Sequence, residues 1–198
     1  MPKYVDPELR AKEITDAAVR VLGEGGFAKL TLRNLAKRLG GSITLVTHYF
    51  PNRDVLITGI LEHFFAESDQ FAEELAAIAD PAERLHAALL WFLPVDEETL
   101  VRERGRIALV AHRDADAAVD DFITRLEPAM RAILAQGIAG FVEDDEFEVT
   151  LDLLRSWTTG MALSAVEHPE IWTVERQLRA LDRFLALLSM PAVHRVNA

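Results

Sequence analysis

Hydrophobic residues recur every three or four positions along almost the whole chain, and this spacing is the period of an α-helix. No stretch shows the sustained two-residue alternation of a half-buried strand. The pattern therefore predicts an all-α protein of about nine helices. They are expected at about residues 6–22, 31–39, 43–49, 52–71, 80–93, 97–112, 117–140, 144–168 and 174–189.

Capping residues and helix breakers support the predicted ends of these helices. The run Asp6-Pro7-Glu8 supplies a cap, a proline for the first turn and an acid where the helix dipole favours one. The glycines between positions 23 and 26 then end the helix. Pro128 lies inside the seventh helix, which it is expected to kink or split because proline removes a donor. The tail after Pro191 is expected to be disordered.

Residues 31–49 form the most specific pattern in the chain, two short helices joined by a glycine turn. Thr31 can cap the first helix and Ser42 the second, while Gly40 and Gly41 separate them. With a longer helix before them, two such helices are typical of a helix-turn-helix, whose second helix enters the major groove of DNA. The sequence therefore predicts a DNA-binding segment here.

The second short helix is expected to pack through a few apolar residues and to present polar side chains to the groove. Its spacing places Ile43, Val46 and Phe50 towards the core. The outward positions are then Thr44, Thr47 and His48.

The net charge of the whole chain, −11, at first argues against a nucleic-acid ligand, because phosphate binding favours a basic surface. The charge is unevenly distributed, however. Residues 1–54 contain nine Lys or Arg and six Asp or Glu and so carry +3, which leaves −14 for the rest. This asymmetry suggests that the first segment meets a polyanion, although chance clustering produces such distributions too.

The segments Thr31–Gly40 and Ser42–Leu56 resemble the amino-terminal signature of the TetR family of transcriptional regulators. The resemblance is close over residues 10–60. It includes an aromatic pair that leads into a basic residue at the start of helix four, where Arg53 stands in place of the usual Lys.

Two positions depart from the family pattern. Gly41 replaces a small aliphatic residue of the turn, and Thr47 stands where a tyrosine commonly reaches a phosphate. Thr47 can still bond a phosphate or touch a thymine methyl group.

The resemblance implies roles for individual side chains of this segment. Backbone phosphates would be bound by Thr31, Arg33, Ser42, His48, Tyr49 and Arg53. Base edges would be contacted by Thr44, Leu45, Thr47 and His48. Structural alternatives stay open, since Tyr49 can belong to the core, Arg33 and Lys37 can form a solvated helix face, and Ser42 can serve only as a cap.

Beyond residue 75 the resemblance extends only to the family's general plan, a helical bundle whose last two long helices pair with a partner subunit. Residues 1–53 are therefore expected to bind DNA, and residues 54–198 to bind an effector and to form a homodimer. A dimer reads two half-sites, which gives more specificity than one short helix can.

Both of the last two helices carry apolar residues that could form this seam. On the ninth helix they are Val174, Leu178, Leu181, Phe184, Leu185 and Leu188. On the eighth helix they are Phe147, Leu154, Trp157 and Met161. Either set can equally be buried within one subunit.

An effector site is expected as an apolar cavity between bundle helices with a few polar groups. The candidate residues are Trp91, Phe92, Trp157 and Met161, with Arg106 and His112 as polar anchors. An aromatic residue or Met on a helix is more often part of the core. Effector binding is expected to favour a bundle arrangement that moves helix four and spreads the two recognition helices apart.

Other kinds of site find no support in the sequence. Without cysteine there is no disulfide and no thiolate chemistry. No nucleophile motif and no zinc spacing occurs, so we expect neither an enzyme nor a metal or cofactor. Apolar runs are too short to cross a membrane and the first residues lack the apolar core of a signal peptide, so a cytoplasmic protein is expected.

Together these patterns predict a ligand-responsive transcriptional regulator, a repressor, that binds a pseudo-palindromic operator as a dimer and is released by a small-molecule effector. Activation in place of repression fits the same sequence. The alternative is a helical small-molecule sensor or adaptor without specific DNA binding, which Gly41 and Thr47 make conceivable.

Overall fold

The computed structural model describes residues 6–190 of the 198-residue chain. Within that range the protein is all-α, with nine α-helices, two 3-10 turns and no strand, which confirms the predicted fold class. The predicted disorder after Pro191 lies outside the described residues. The helices are α1 (Pro7–Gly25), α2 (Leu32–Arg38), α3 (Ile43–Tyr49), α4 (Arg53–Ala76), α5 (Pro81–Trp91), α6 (Glu97–Val110), α7 (Ala117–Ile138), α8 (Phe147–Glu167) and α9 (Val174–Leu187).

Side-chain caps begin the helices where the sequence places them. The Asp6 carboxylate accepts a hydrogen bond from the Glu8 N–H at 3.0 Å, and the Asp80 carboxylate accepts one from the Ala82 N–H at 2.8 Å. Gly26 follows α1 with a φ of 72°, a conformation that favours glycine. The predicted helix ends are therefore set largely by local chemistry.

Two features differ from the sequence expectation. Pro128 does not split the seventh helix, because α7 continues through it from Ala117 to Ile138. The carbonyl that loses its partner belongs to Thr124, and since Pro128 and Thr124 are both exposed, solvent can bind it. Short 3-10 turns at Phe27–Lys29 and Arg113–Ala115 were not predicted.

The chain divides into two compact units. The first unit contains Met1–Asp69 and Val101–Arg125, and the second contains Gln70–Leu100 and Leu126–Ala198. These units are defined by packing. The predicted boundary after residue 53 concerns the division of function and stays a prediction.

The core of the first unit brings α1, α4 and the two short helices together through fully buried aliphatic side chains such as Ile14, Leu35 and Leu56. Helix α6 approaches α1 closely, since a Cβ atom at Gly23 would lie 2.2 Å from the Val101 carbonyl oxygen. Glycine at this position therefore permits the contact between the two backbones.

The second unit is held by apolar burial and by one arginine. Leu85, Leu89 and Leu134 are fully buried. The guanidinium of Arg84 donates to the carbonyl oxygens of Gln136 at 3.0 Å and Ala139 at 3.1 Å, so it ties α5 to the end of α7. Among the described residues, no helix has both the length and the apolar character to cross a membrane.

Candidate nucleic-acid interface

Helices α2 and α3 pack against each other and are both two turns long. On α3, Val46 is fully buried and Phe50 follows it into the core. Thr44 and His48 are exposed on the other side. One face of α3 thus holds the helix in the unit and leaves the other face available for a groove.

The predicted orientation is wrong for Ile43 and incomplete for Thr47. Ile43 is 48% exposed, although its spacing from Val46 suggested burial. Ile43 is the first residue of α3, so no preceding helical turn lies beneath its side chain. Thr47 is half-buried, and its hydroxyl donates to the Thr44 carbonyl oxygen at 3.3 Å.

Two hydroxyl groups cap the short helices. The Thr31 hydroxyl oxygen accepts from the Asn34 N–H at 3.2 Å, and the Ser42 hydroxyl oxygen accepts from the Leu45 N–H at 3.3 Å. Each cap uses an acceptor lone pair and leaves the hydroxyl hydrogen available to a phosphate oxygen. The capping role of Ser42 is therefore present, and it is compatible with the predicted phosphate contact.

The remaining predicted contacts on α2 and α3 differ in exposure. Arg33 is exposed on the first turn of α2. Leu45 and Tyr49 are half-buried, and the ring of Tyr49 meets the His48 ring edge-on at a centroid distance of 5.0 Å. Tyr49 thus belongs partly to the core, while His48 stays accessible.

Arg53, the first residue of α4, points back to the turn that follows α1. Its Nε donates to the Leu30 carbonyl oxygen and its Nη2 to the Phe27 carbonyl oxygen, both at 3.0 Å. Its guanidinium carbon also lies 4.1 Å from the centroid of the Phe27 ring. The structure thus gives Arg53 a bracing role, and its remaining N–H groups are those a phosphate could use.

A charged cluster joins α1 to α4. The Nε2 atom of His63 lies 2.9 Å from an Asp16 carboxylate oxygen and 3.2 Å from a Glu67 carboxylate oxygen. The hydrogen bond with Glu67 raises the pKa of His63 against the opposing effect of burial, and the same bond lowers the pKa of Glu67. Lys12 pairs with Asp16 at 3.6 Å and extends the cluster.

A comparison of the chain with models of protein families agrees with the helix-turn-helix geometry. Residues 14–60 match the model of the bacterial regulatory proteins of the tetR family. Over these residues the chain is similar to the TetR family. The matched residues include α2, α3 and the start of α4, so the match covers the part of the first unit that carries the predicted DNA contacts.

Curated transcriptional regulators match over about half of the chain. The HTH-type transcriptional regulator PksA of Bacillus subtilis (strain 168) is 33% identical over 102 residues, which is 50% of this chain and 49% of the relative. The HTH-type transcriptional regulator BetI of Brucella anthropi is 33% identical over 90 residues, 45% of this chain and 46% of the relative. The matched part of the chain spans about half the length of these relatives.

Solved structures match over nearly the whole chain. A transcriptional regulator from Rhodococcus sp. Rha1 superposes with a TM-score of 0.74 at 26% identity, covering 92% of this chain and 95% of its own. A protein from Saccharomonospora viridis, solved in complex with choline, gives 0.77 at 18% identity and covers 91% and 97%. The second likeness shows the fold alone.

The predicted effector residues fall into both compact units. Trp91, Phe92, Trp157 and Met161 belong to the second unit. There the ring of Phe71 stacks on Trp91 at 5.3 Å, Trp91 meets Phe92 edge-on at 5.1 Å, and Trp157 stacks on Phe184 at 5.2 Å. Met161 is buried.

The two predicted polar anchors belong to the first unit. Arg106 donates from Nε to the carboxylate of Glu103 at 2.8 Å, and Glu103 is buried. His112 stacks on Phe27. Both side chains thus have protein partners. The i,i+3 spacing of Glu103 and Arg106 could have indicated the first contact, whereas the contact of His112 with Phe27 joins residues far apart in sequence.

The apolar face that α8 leaves exposed differs from the predicted seam. Four predicted seam residues are buried within the chain, namely Leu154, Met161, Leu181 and Leu185. Exposed apolar residues on α8 are instead Val149, Leu153 and Leu163. With Gly160 they follow one face of the helix, and a Cβ atom at Gly160 would meet nothing within 4 Å.

Proposed function

We propose that this chain is a ligand-responsive transcriptional repressor that binds a pseudo-palindromic operator as a homodimer. The observation that carries the proposal is the geometry of α3, which buries Val46 and exposes Thr44 and His48 on a helix short enough for the major groove. The members of its family named above are transcriptional regulators, so we assign it no catalytic role.

The proposed contacts to DNA follow from the side-chain chemistry of residues 31–49. Thr31, Ser42 and Arg33 bind phosphates through a hydroxyl or guanidinium donor, while Thr44 and His48 meet base edges. Thr47 uses its hydroxyl hydrogen within α3, so towards a base it acts as an acceptor.

Homodimerisation is proposed through α8 and α9, with Val149, Leu153 and Leu163 at the seam. Removing these side chains from water favours association, and Gly160 lets a partner helix approach closely. The dimer sets the spacing of the two α3 helices on the two half-sites.

A small organic effector is proposed to bind among the aromatic residues of the second unit, Trp91, Phe92 and Trp157. Binding favours an arrangement in which the α3 helices no longer match the half-site spacing. Saturating effector should therefore weaken operator binding; an unchanged operator affinity would contradict this part of the proposal. We place the protein in the cytoplasm, where operator DNA is found.

The first experiment is binding of the purified protein to DNA from upstream of its own gene, against scrambled competitor at two salt concentrations. Tight binding that resists competitor and weakens with salt supports the proposal. If the natural DNA has no advantage over scrambled DNA, the function is that of a helical small-molecule sensor or adaptor.

A further inference from the structure

We infer that Ile43 recognises the C5-methyl group of a thymine in the major groove of the operator. The inference rests on the proposed DNA-binding function. It makes an apolar side chain a determinant of sequence specificity, beside the polar positions of α3.

Ile43 carries an exposed apolar side chain. This residue opens α3 and is 48% exposed, whereas Val46 and Phe50 on the same helix are buried. As the first residue of α3 it has no preceding helical turn to pack against. Since a β-branched side chain has few χ1 rotamers, its position is largely fixed before DNA binds.

The neighbours of Ile43 leave it accessible. Ser42 and Thr44 are exposed on either side of it. Leu45 is turned to the glycine turn, because a Cβ atom at Gly41 would lie 2.9 Å from its Cδ2. The outer surface at this end of α3 is therefore an isoleucine between two hydroxyl-bearing residues.

The chemistry of the groove selects a partner for this surface. N-terminal residues of the second helix of a helix-turn-helix contact base edges. On those edges the thymine methyl group is the apolar feature, while cytosine presents an amino donor at the neighbouring position. Ile43 gains from contact with the methyl group and would leave the cytosine donor without an acceptor.

The test removes one methyl group at a time. An operator is selected from a random duplex library with the wild-type protein, and each thymine is then replaced by deoxyuridine in both half-sites. Deoxyuridine keeps the base pairing and lacks only the methyl group. At one position per half-site, we expect wild-type affinity to fall about fourfold for each half-site and about fifteenfold for both.

The variant Ile43→Ala completes a double-mutant cycle. It should bind the unmodified operator more weakly and should be insensitive to deoxyuridine at that one position. Ile43→Val, which keeps the β-branch, should retain part of the sensitivity. Val110→Ala removes a similarly exposed apolar side chain (42%) from α6 and should behave as wild type. Circular dichroism checks that each variant is folded.

The outcomes distinguish a failure of the inference about Ile43 from a failure of the proposed DNA-binding function. An equal deoxyuridine penalty in the wild type and in Ile43→Ala, or no sensitive thymine in the wild type, overturns the inference while the proposed function stands. If the wild type selects no sequence from the library, the proposed function itself is wrong, and the inference fails with it.

Discussion

The imidazole ring of His112 stacks on the ring of Phe27, with the centroids 4.1 Å apart and the planes inclined by 26°. The guanidinium of Arg53 also lies 4.1 Å from the Phe27 centroid. Both groups therefore pack against the same aromatic ring. The end of α6, the turn after α1 and the start of α4 therefore meet at one side chain.

Replacing Phe27 should weaken this junction. Phe27→Ala removes both ring contacts, and we expect the free energy of unfolding to fall by roughly 2 kcal/mol, less than for a fully buried ring because Phe27 is half-buried. All three tryptophans belong to the second unit, so urea unfolding of the first unit should be followed by circular dichroism or hydrogen exchange. Leu9→Ala, at a residue 56% exposed on α1, is the control. Equal stability of the two variants would contradict the expectation.

Arg53→Lys should be destabilising although it keeps the charge. An arginine fork can donate to the carbonyl oxygens of Phe27 and Leu30 together, whereas a lysine ammonium is a point donor without the planar stacking surface. We expect a loss of about 1 kcal/mol, the net contribution of one hydrogen bond, in denaturant unfolding. The same change at exposed Arg33 should have little effect. A stable Arg53→Lys protein would show that the bracing bonds contribute little.

The His63 cluster should make stability depend on pH. The pKa of His63 is raised in the folded state, so its contribution is complete below its ordinary value of 6.5 and is lost as the pH rises through the folded-state pKa. The pKa of Glu67 is lowered, so its contribution is complete above 4.5 and is lost as the pH falls through the folded-state pKa. The stabilising contribution of the cluster should therefore be largest between pH 4.5 and 6.5.

This dependence is measured by comparing wild type with His63→Gln in urea at several pH values. The wild-type advantage should shrink above pH 6.5, and it should be modest because Asp16 and Glu67 are nearly half exposed. His168→Gln, at an exposed histidine of the second unit, is the matched control substitution. An advantage that grows as the pH rises would contradict the assigned charge state.

Arg33 should contribute affinity without sequence preference. Arg33→Ala should weaken binding to all DNA sequences by a similar factor and reduce the slope of log affinity against log salt by about 1 for each phosphate that the arginine neutralises. Thr44→Ala should change the preferred sequence while leaving the salt slope unchanged. Identical effects of both substitutions on sequence preference would refute the division between phosphate and base contacts.

The exposed face of α8 should control assembly. Leu153→Lys places a charge in the proposed seam, and we expect analytical ultracentrifugation to show monomers at concentrations where the wild type is dimeric. Val110→Lys introduces the same charge at an equally exposed apolar residue of the first unit and should leave the dimer intact. Dimers of the Leu153→Lys variant would move the interface to another surface.

The sequence by itself determined the features that depend on local chemistry. The helical period and the caps at Asp6, Thr31, Ser42 and Asp80 specify where helices lie, because each cap bonds a backbone group two or three residues away. The glycine turn before α3 is set in the same way, since Gly40 has a φ of 63° that other residues resist. The family resemblance also rests on this contiguous segment.

Only the tertiary structure decided which side chains meet across the chain. Ile43 is exposed although its spacing predicts burial. Arg53 bonds carbonyl groups 23 and 26 residues earlier, and His112 stacks on Phe27 of another element. On α8, Leu154 is buried while its neighbour Leu153 is exposed, a choice set by which helices pack against it. Periodicity shows that a helix has an apolar face, but burial depends on partners distant in sequence, and a one-dimensional pattern does not contain their positions.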